Sequence, residues 1–171
     1  MTLSIPWALA VNESTNGFTN WQLGVNTRDS RAAGAFVMGR RMFNVGEEPW
    51  GDNPSFHMQV FVATHPAREK LVKEGGTSFI FVTDGIESAI RQPRAVAGDK
   101  DVAVSGGANI AQQCLKAGLI DQMQIHIAHV LLGDGRRLFE QMGTEHIELE
   151  KIRVIDSPGV THLRFRVAKE S

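Results

Sequence analysis

Ser105, Gly106, Gly107, Ala108 and Asn109 stand where two patterns meet. Before them, Val102 and Val104 with their neighbours read as a buried strand. After them, Ile110, Ala111, Cys114, Leu115 and Leu119 recur at helical spacing, and Gly118 is placed to end that helix. A plain connection needs at most one glycine, because each costs backbone entropy. Two side-chain-free residues at a strand end leave room for something to lie against the backbone, and the amides of a helix N-terminus facing that room favour an anion. A phosphate fits such a place, although a tight turn alone would also account for the pair. At Gly107 in particular, a side chain would fill the phosphate space, and the backbone is expected to need a conformation open only to glycine.

The segment VMGRRMF, Val37 to Phe43, repeats the arrangement: a buried strand, Gly39, then a helix start carrying Arg40 and Arg41. Guanidinium groups beside a glycine turn suit bidentate phosphate binding, while a solvated basic pair is the plain alternative. Two such strand ends in one parallel sheet favour the ligand, since open α/β sheets bind at the carboxyl ends of their strands.

Other chemistries find little footing. G-x-x-x-x-G-K-[ST], G-x-S-x-G and H-E-x-x-H are missing from the sequence, and GDGRRLF, Gly133 to Phe139, has G-x-G without a third glycine. That segment reads as a turn after a long strand more readily than as a phosphate loop. His126 and His129, three apart on a strand, fall on opposite faces and make poor partners for one metal ion. No metal site is expected. The single cysteine, Cys114, excludes an intramolecular disulfide framework and sits on an apolar helical stripe, as a buried thiol would. Trp21, in the polar stretch STNGFTNWQLG, either packs or lies in a loop that could cover a flat ligand.

The elements that must position these residues follow from patterning. A chain of 171 residues that is 42% hydrophobic can bury the core of a single domain over residues 1–171. Its charge is balanced, Lys+Arg 18 against Asp+Glu 19 with no basic run, which points away from nucleic acid and anionic membranes. The apolar opening MTLSIPWALAV lacks a basic flank, contains Pro6 and is too short to span a bilayer; it reads as the first strand of a cytoplasmic protein. AGAFVMG, MQVFVATH and TSFIFVTDG read as further strands, the last followed by a helical pattern at Ile86, Ala89 and Ile90 with Asp84 as a candidate cap. MQIHIAHVLLG, Met123 to Gly133, reads as a long strand, and IELEKIRVID and VTHLRFRVAK flank SPG as an antiparallel hairpin. The expected fold is a three-layer α/β sandwich, mostly parallel, with an antiparallel C-terminal hairpin.

FVMGRRMF, SGGANIAQQCLKAGLIDQMQIHIA, VLLGDGRRLF and SPGVTHLRFRV together resemble dihydrofolate reductase-like proteins, in particular the C-terminal reductase domain of the bifunctional riboflavin-biosynthesis deaminase-reductase. The resemblance runs in order from about Ala33 to Lys169. It implies an NADPH-binding homodimer that reduces a pterin- or ribosylaminopyrimidine-like compound, of the 5-amino-6-(5-phosphoribosylamino)uracil reductase class. It also implies that Ser105 to Asn109 cradle the pyrophosphate and nicotinamide, often with a cis peptide at the glycine pair. Gly39, Arg40 and Arg41 match the second phosphate site, and Thr64 and His65 the border of the adenosine half.

Departures from the family pattern fall near the expected substrate. TNGF stands in place of LDGF, so Asn16 replaces an aspartate, and Met42 replaces a threonine of the G-R-x-T motif. The stretch between Trp21 and Ala33 is short and keeps only Asp29 as an acid. Asn16 and Trp21 are the expected substrate contacts, and no residue is assigned as the proton donor. The rival reading is a nucleotide-binding protein of the same fold that has lost reduction.

Overall fold

The computed structural model describes residues 3–9, 33–131, 137–140, 142–144 and 146–168. Among these residues nine strands form one sheet: β1 (Leu3–Leu9), β2 (Ala33–Gly39), β3 (Gln59–Ala63), β4 (Leu71–Val72), β5 (Ser78–Val82), β6 (Asp101–Val104), β7 (Gln122–Ala128), β8 (Leu149–Ser157) and β9 (Val160–Val167). Their spatial order is β4-β5-β3-β2-β6-β1-β7-β9-β8. The six strands from β5 to β7 run parallel, while β4, β9 and β8 pair antiparallel at the two ends. The opening strand thus lies inside the sheet, between β6 and β7, and the mostly parallel α/β architecture with its antiparallel hairpin is the one expected.

Strand periodicity sorts side chains onto two faces. Ala35, Val37, Phe61, Val82, Val102 and Val104 face helices α2 (Ile86–Ala97) and α3 (Ala108–Lys116), packing on Ala89, Ile90, Ile110, Ala111 and Cys114. Phe36, Met38, Val60, Val62 and Phe79 face the other way and cover Phe43 of the short helix α1 (Arg40–Gly46). There Trp50 stacks on Phe79 with centroids 5.8 Å apart and planes 9° from parallel. Gly34 allows α2 to sit directly on β2: a Cβ at Gly34 would lie 2.6 Å from the Ala97 carbonyl oxygen. Helix α3 ends as its sequence indicates. Gly118 has φ +62°, its amide bonds Leu115 O at 3.0 Å, and the Leu119 amide bonds Cys114 O at 2.9 Å, closing the last carbonyls.

Two boundaries differ from expectation. Strand β7 stops at Ala128 rather than continuing to Gly133, because its partner β9 begins at Val160, opposite Ala128. Beyond that pair the chain turns, with the His129 amide on Gly159 O and the Val130 amide on Ala128 O. Helix α2 is preceded by Gly85 at φ +100°, with no side-chain cap; Asp84 instead accepts a hydrogen bond from the Ser88 hydroxyl, which holds its carboxyl below the usual range.

Candidate functional site

Parallel pairing brings the carboxyl ends of β3, β2, β6, β1 and β7 to one edge. Gly39 pairs with Ala63, so Thr64 and His65 follow β3 beside the residues that follow β2. The ends of β2 and β6 are joined directly: the Ser105 amide donates to Val37 O at 2.8 Å, and the Gly39 amide donates to Gly106 O at 2.8 Å. Gly39, Arg40, Ser105, Gly106 and Gly107 therefore form one contiguous backbone surface.

The glycine pair divides its duties. The Gly106–Gly107 peptide is cis. Gly106 is buried at φ +106°, a region that disfavours side chains, so Gly106 and not Gly107 is the one the backbone requires. Gly107 is exposed, with φ −77° and ψ −176°, and a Cβ there would meet no atom of the described residues within 4 Å. Among the described residues nothing packs where a side chain at this position would stand, so the described part of the chain does not itself demand glycine here. Gly107 also begins α3 with no side-chain cap among the described residues, and the first amides of a helix have no partner within the helix itself. Asn109 does not reach back as a cap, because its Oδ1 accepts from Gln113 Nε2 at 2.6 Å. At Gly39, a Cβ would make only ordinary contacts of 3.7–3.9 Å, so sterics alone do not require that glycine.

Arginines flank the same edge. Arg40 lays its guanidinium over the rings of Phe43 and Phe81, 5.8 and 5.5 Å from their centroids, and its Nη1 is buried without a hydrogen-bond partner among the described residues. A buried cationic donor without an acceptor costs free energy that a bound anion would offset. Arg68 stands over the same rings at 5.3 and 5.2 Å, and its fork donates to Glu47 at 2.9 and 2.5 Å. The Arg68 hydrogen bond, helped by the charges of Arg68, Arg40 and Lys73, holds the Glu47 carboxyl below its usual range. Sequence patterning had not singled out Arg68 or Glu47, which lie 21 residues apart with no periodic relation. Arg41 and His65 are exposed, and the Thr64 hydroxyl donates to Pro66 O at 3.3 Å while its amide bonds Val82 O at 3.0 Å.

Asn16 and Trp21 lie outside the described residues, as do positions 133–136 of the glycine-containing turn. The rest of that turn is tied to α3 by buried Gln112, whose Nε2 donates to Leu138 O at 2.9 Å. His126 packs across the strand pair against His162, with Nδ1 atoms 2.5 Å apart, and is only 4% exposed. His129 instead is exposed and bonds the Thr161 hydroxyl at 2.9 Å. Among the described residues no cluster of three His, Cys, Asp or Glu could hold a metal. Cys114 is fully buried, and burial pushes its thiol up to about 12, so it is a packing residue. No helix among the described residues is long and apolar enough to cross a membrane.

These features define a dihydrofolate reductase-like α/β protein. A putative riboflavin biosynthesis protein from Shewanella sp. PV-4 superposes with a TM-score of 0.71 at 18% identity, over 99% of this chain and 100% of that one. Dihydrofolate reductase from Enterococcus faecalis, complexed with NADP(H) and RAB-propyl, superposes at 0.62 with 13% identity, over 98% of this chain and 97% of that one. The family model for the RibD C-terminal domain matches residues 12–161, and the chain belongs to that family. A curated relative, uncharacterized protein YyaP of Bacillus subtilis (strain 168), is 24% identical over 129 residues, which is 72% of this chain and 64% of the relative's length.

Proposed function

We propose that the chain is an NADPH-dependent reductase of a pterin- or ribosylaminopyrimidine-like compound. One observation carries the reading: at Gly107 the backbone conformation is ordinary and, among the described residues, nothing stands within 4 Å of the place a Cβ would take, although the residue is glycine. That cradle lies next to β2, whose end leads into Arg40 and its unpartnered Nη1. The residues fit a dinucleotide. Ser105, Gly106, Gly107, Ala108 and Asn109 would hold the pyrophosphate and nicotinamide with backbone amides. Gly39, Arg40 and Arg41 would take a second phosphate, and Thr64 and His65 would border the adenosine. When bound, the reduced nicotinamide supplies a hydride to a C=N or C=O bond. The chain's part is to orient the two reactants, keep the edge dry and stabilise charge. The matching proton is assigned to no residue of the chain, an ordered water being able to deliver it, and Asn16 and Trp21 are the expected substrate contacts.

The same reading includes a closed two-fold homodimer. Ile152, Val154 and Ile155 of β8 and Ile127 of β7 are exposed at the antiparallel end of the sheet. Such an edge is an apolar surface that a second copy would cover.

A second reading, nucleotide binding without reduction, is favoured by Met42 and Asn16. Met42, where the related motif has a threonine, packs against the Phe36–Phe79 core cluster and brings no hydroxyl to the cleft. Consumption of NADPH with a panel of reducible pteridines and ribosylaminopyrimidines separates the two. Steady turnover supports the reductase; saturable NADPH binding with no turnover across the panel supports the rival.

A further inference from the structure

We propose that Glu47 determines cofactor specificity at the adenosine end. Its carboxylate occupies the fork of Arg68 where a ribose phosphate would otherwise bind, and so limits the preference for the phosphorylated dinucleotide. This rests on the reductase reading above and adds to it a residue pair outside the glycine and Gly-Arg-Arg segments.

The geometry is specific. Arg40 and Arg68 gather on the same two rings, Phe43 and Phe81, with all four guanidinium-to-ring distances between 5.2 and 5.8 Å. Two cations sharing one aromatic platform repel unless an anion sits with them. Glu47 supplies one carboxylate, and it goes to Arg68 in two-pronged fashion. Arg40 is left with a buried Nη1 that has no acceptor among the described residues. Lys73, whose charge also reaches Glu47, is matched by Asp52 at 3.0 Å. Among the described residues the local balance is therefore one guanidinium in excess, with a second held by an internal carboxylate.

A guanidinium fork accepts the paired oxygens of a carboxylate or of a phosphate in the same way. Glu47 and a ribose phosphate are thus competitors for Arg68. The Arg68 and Glu47 side chains are 35% and 34% exposed, and ion pairs in that setting are weak enough for a dianion to displace. Removing the competitor leaves Arg68 in place on its rings with both prongs open.

The test is equilibrium titration of NADPH, NADH, adenosine 2′,5′-bisphosphate and adenosine 5′-monophosphate into wild type, Glu47→Gln, Arg68→Ala and the double variant. Glu47→Gln should raise the NADPH-over-NADH affinity ratio about tenfold, the gain of one charge-assisted hydrogen bond, and the two nucleotides should show the same change. In the Arg68→Ala background the substitution should leave the ratio within about twofold, because the effect acts through Arg68. An unchanged or lowered ratio in Glu47→Gln overturns the proposal, and so does an equal rise without Arg68, which would mean general charge repulsion. Glu47→Ala repeats the arm should the glutamine variant unfold. Wild type that binds neither dinucleotide overturns the reductase reading itself, whereas wild type that prefers NADPH regardless of Glu47 overturns this proposal alone.

Discussion

Replacing Gly107 by valine and, separately, Gly106 by alanine should split binding from folding. At Gly107 the backbone is extended, at φ −77° and ψ −176°, and the first side-chain carbon would meet none of the described residues within 4 Å. Folding should therefore change little, by less than about 1 kcal/mol, since a compatible replacement of glycine also restricts the unfolded chain. Binding should suffer, because the isopropyl group fills the space next to the first amides of α3. Loss of one charge-assisted hydrogen bond at the phosphate is worth about 1.5–3 kcal/mol, on the order of tenfold to a hundredfold in affinity. Gly106 is the reverse case: at φ +106° an alanine is strained by about 1–3 kcal/mol, which lowers Tm by roughly 2–4 °C per kcal/mol in a chain of this size. Thermal unfolding and NADPH titration of both variants check the pair. Should Gly107→Val bind NADPH as tightly as wild type, the phosphate does not lie against Gly107. Should it unfold as readily as Gly106→Ala, its glycine serves the fold and not the ligand.

Arg40→Ala should weaken NADPH by about tenfold to a hundredfold and NADH much less, collapsing the preference between them, as titration at two salt concentrations would show. Cys114 should resist thiol reagents in the folded chain at mildly alkaline pH and react fully once denatured, because it is buried and its thiol is pushed up to about 12. The Glu47 carboxyl is lowered on folding, so its contribution is full above the ordinary carboxylate value and lost as pH falls through the folded one. The Tm difference between wild type and Glu47→Gln should accordingly be constant near neutrality and shrink below about pH 4, remaining small throughout for so exposed a pair. Light scattering should give the mass of two chains at micromolar concentration, and Val154→Glu on the exposed hairpin should shift it to one.

Most of the sheet was legible because its strands are short apolar runs, and the hairpin because Pro158–Gly159 separates two alternating segments; the two-residue β4 was not, being too short to show a pattern. The ends of elements were less so. Whether residues 129–133 continue β7 depends on where β9 begins, a partner some 30 residues away in sequence that local pattern does not register. The glycine cradle was visible as two glycines between a strand and a helix. Which of them the backbone needs was not, since φ at Gly106 and Gly107 is set by the register of β6 against β2 and by the start of α3. Arg40 could be flagged from its place after Gly39. Its companion Arg68 and the carboxylate of Glu47 could not, because parallel pairing of β2, β3 and β5 brings them together only in three dimensions.

A crystal structure of the protein grown with NADPH tests the central claim most directly. The account predicts a dinucleotide along the carboxyl ends of β3, β2 and β6, with a phosphate within hydrogen-bond reach of the amides beginning α3 and another on Arg40. A dinucleotide bound elsewhere, for instance beside His129 and Asp156 at the hairpin, or none at saturating concentration, would contradict it.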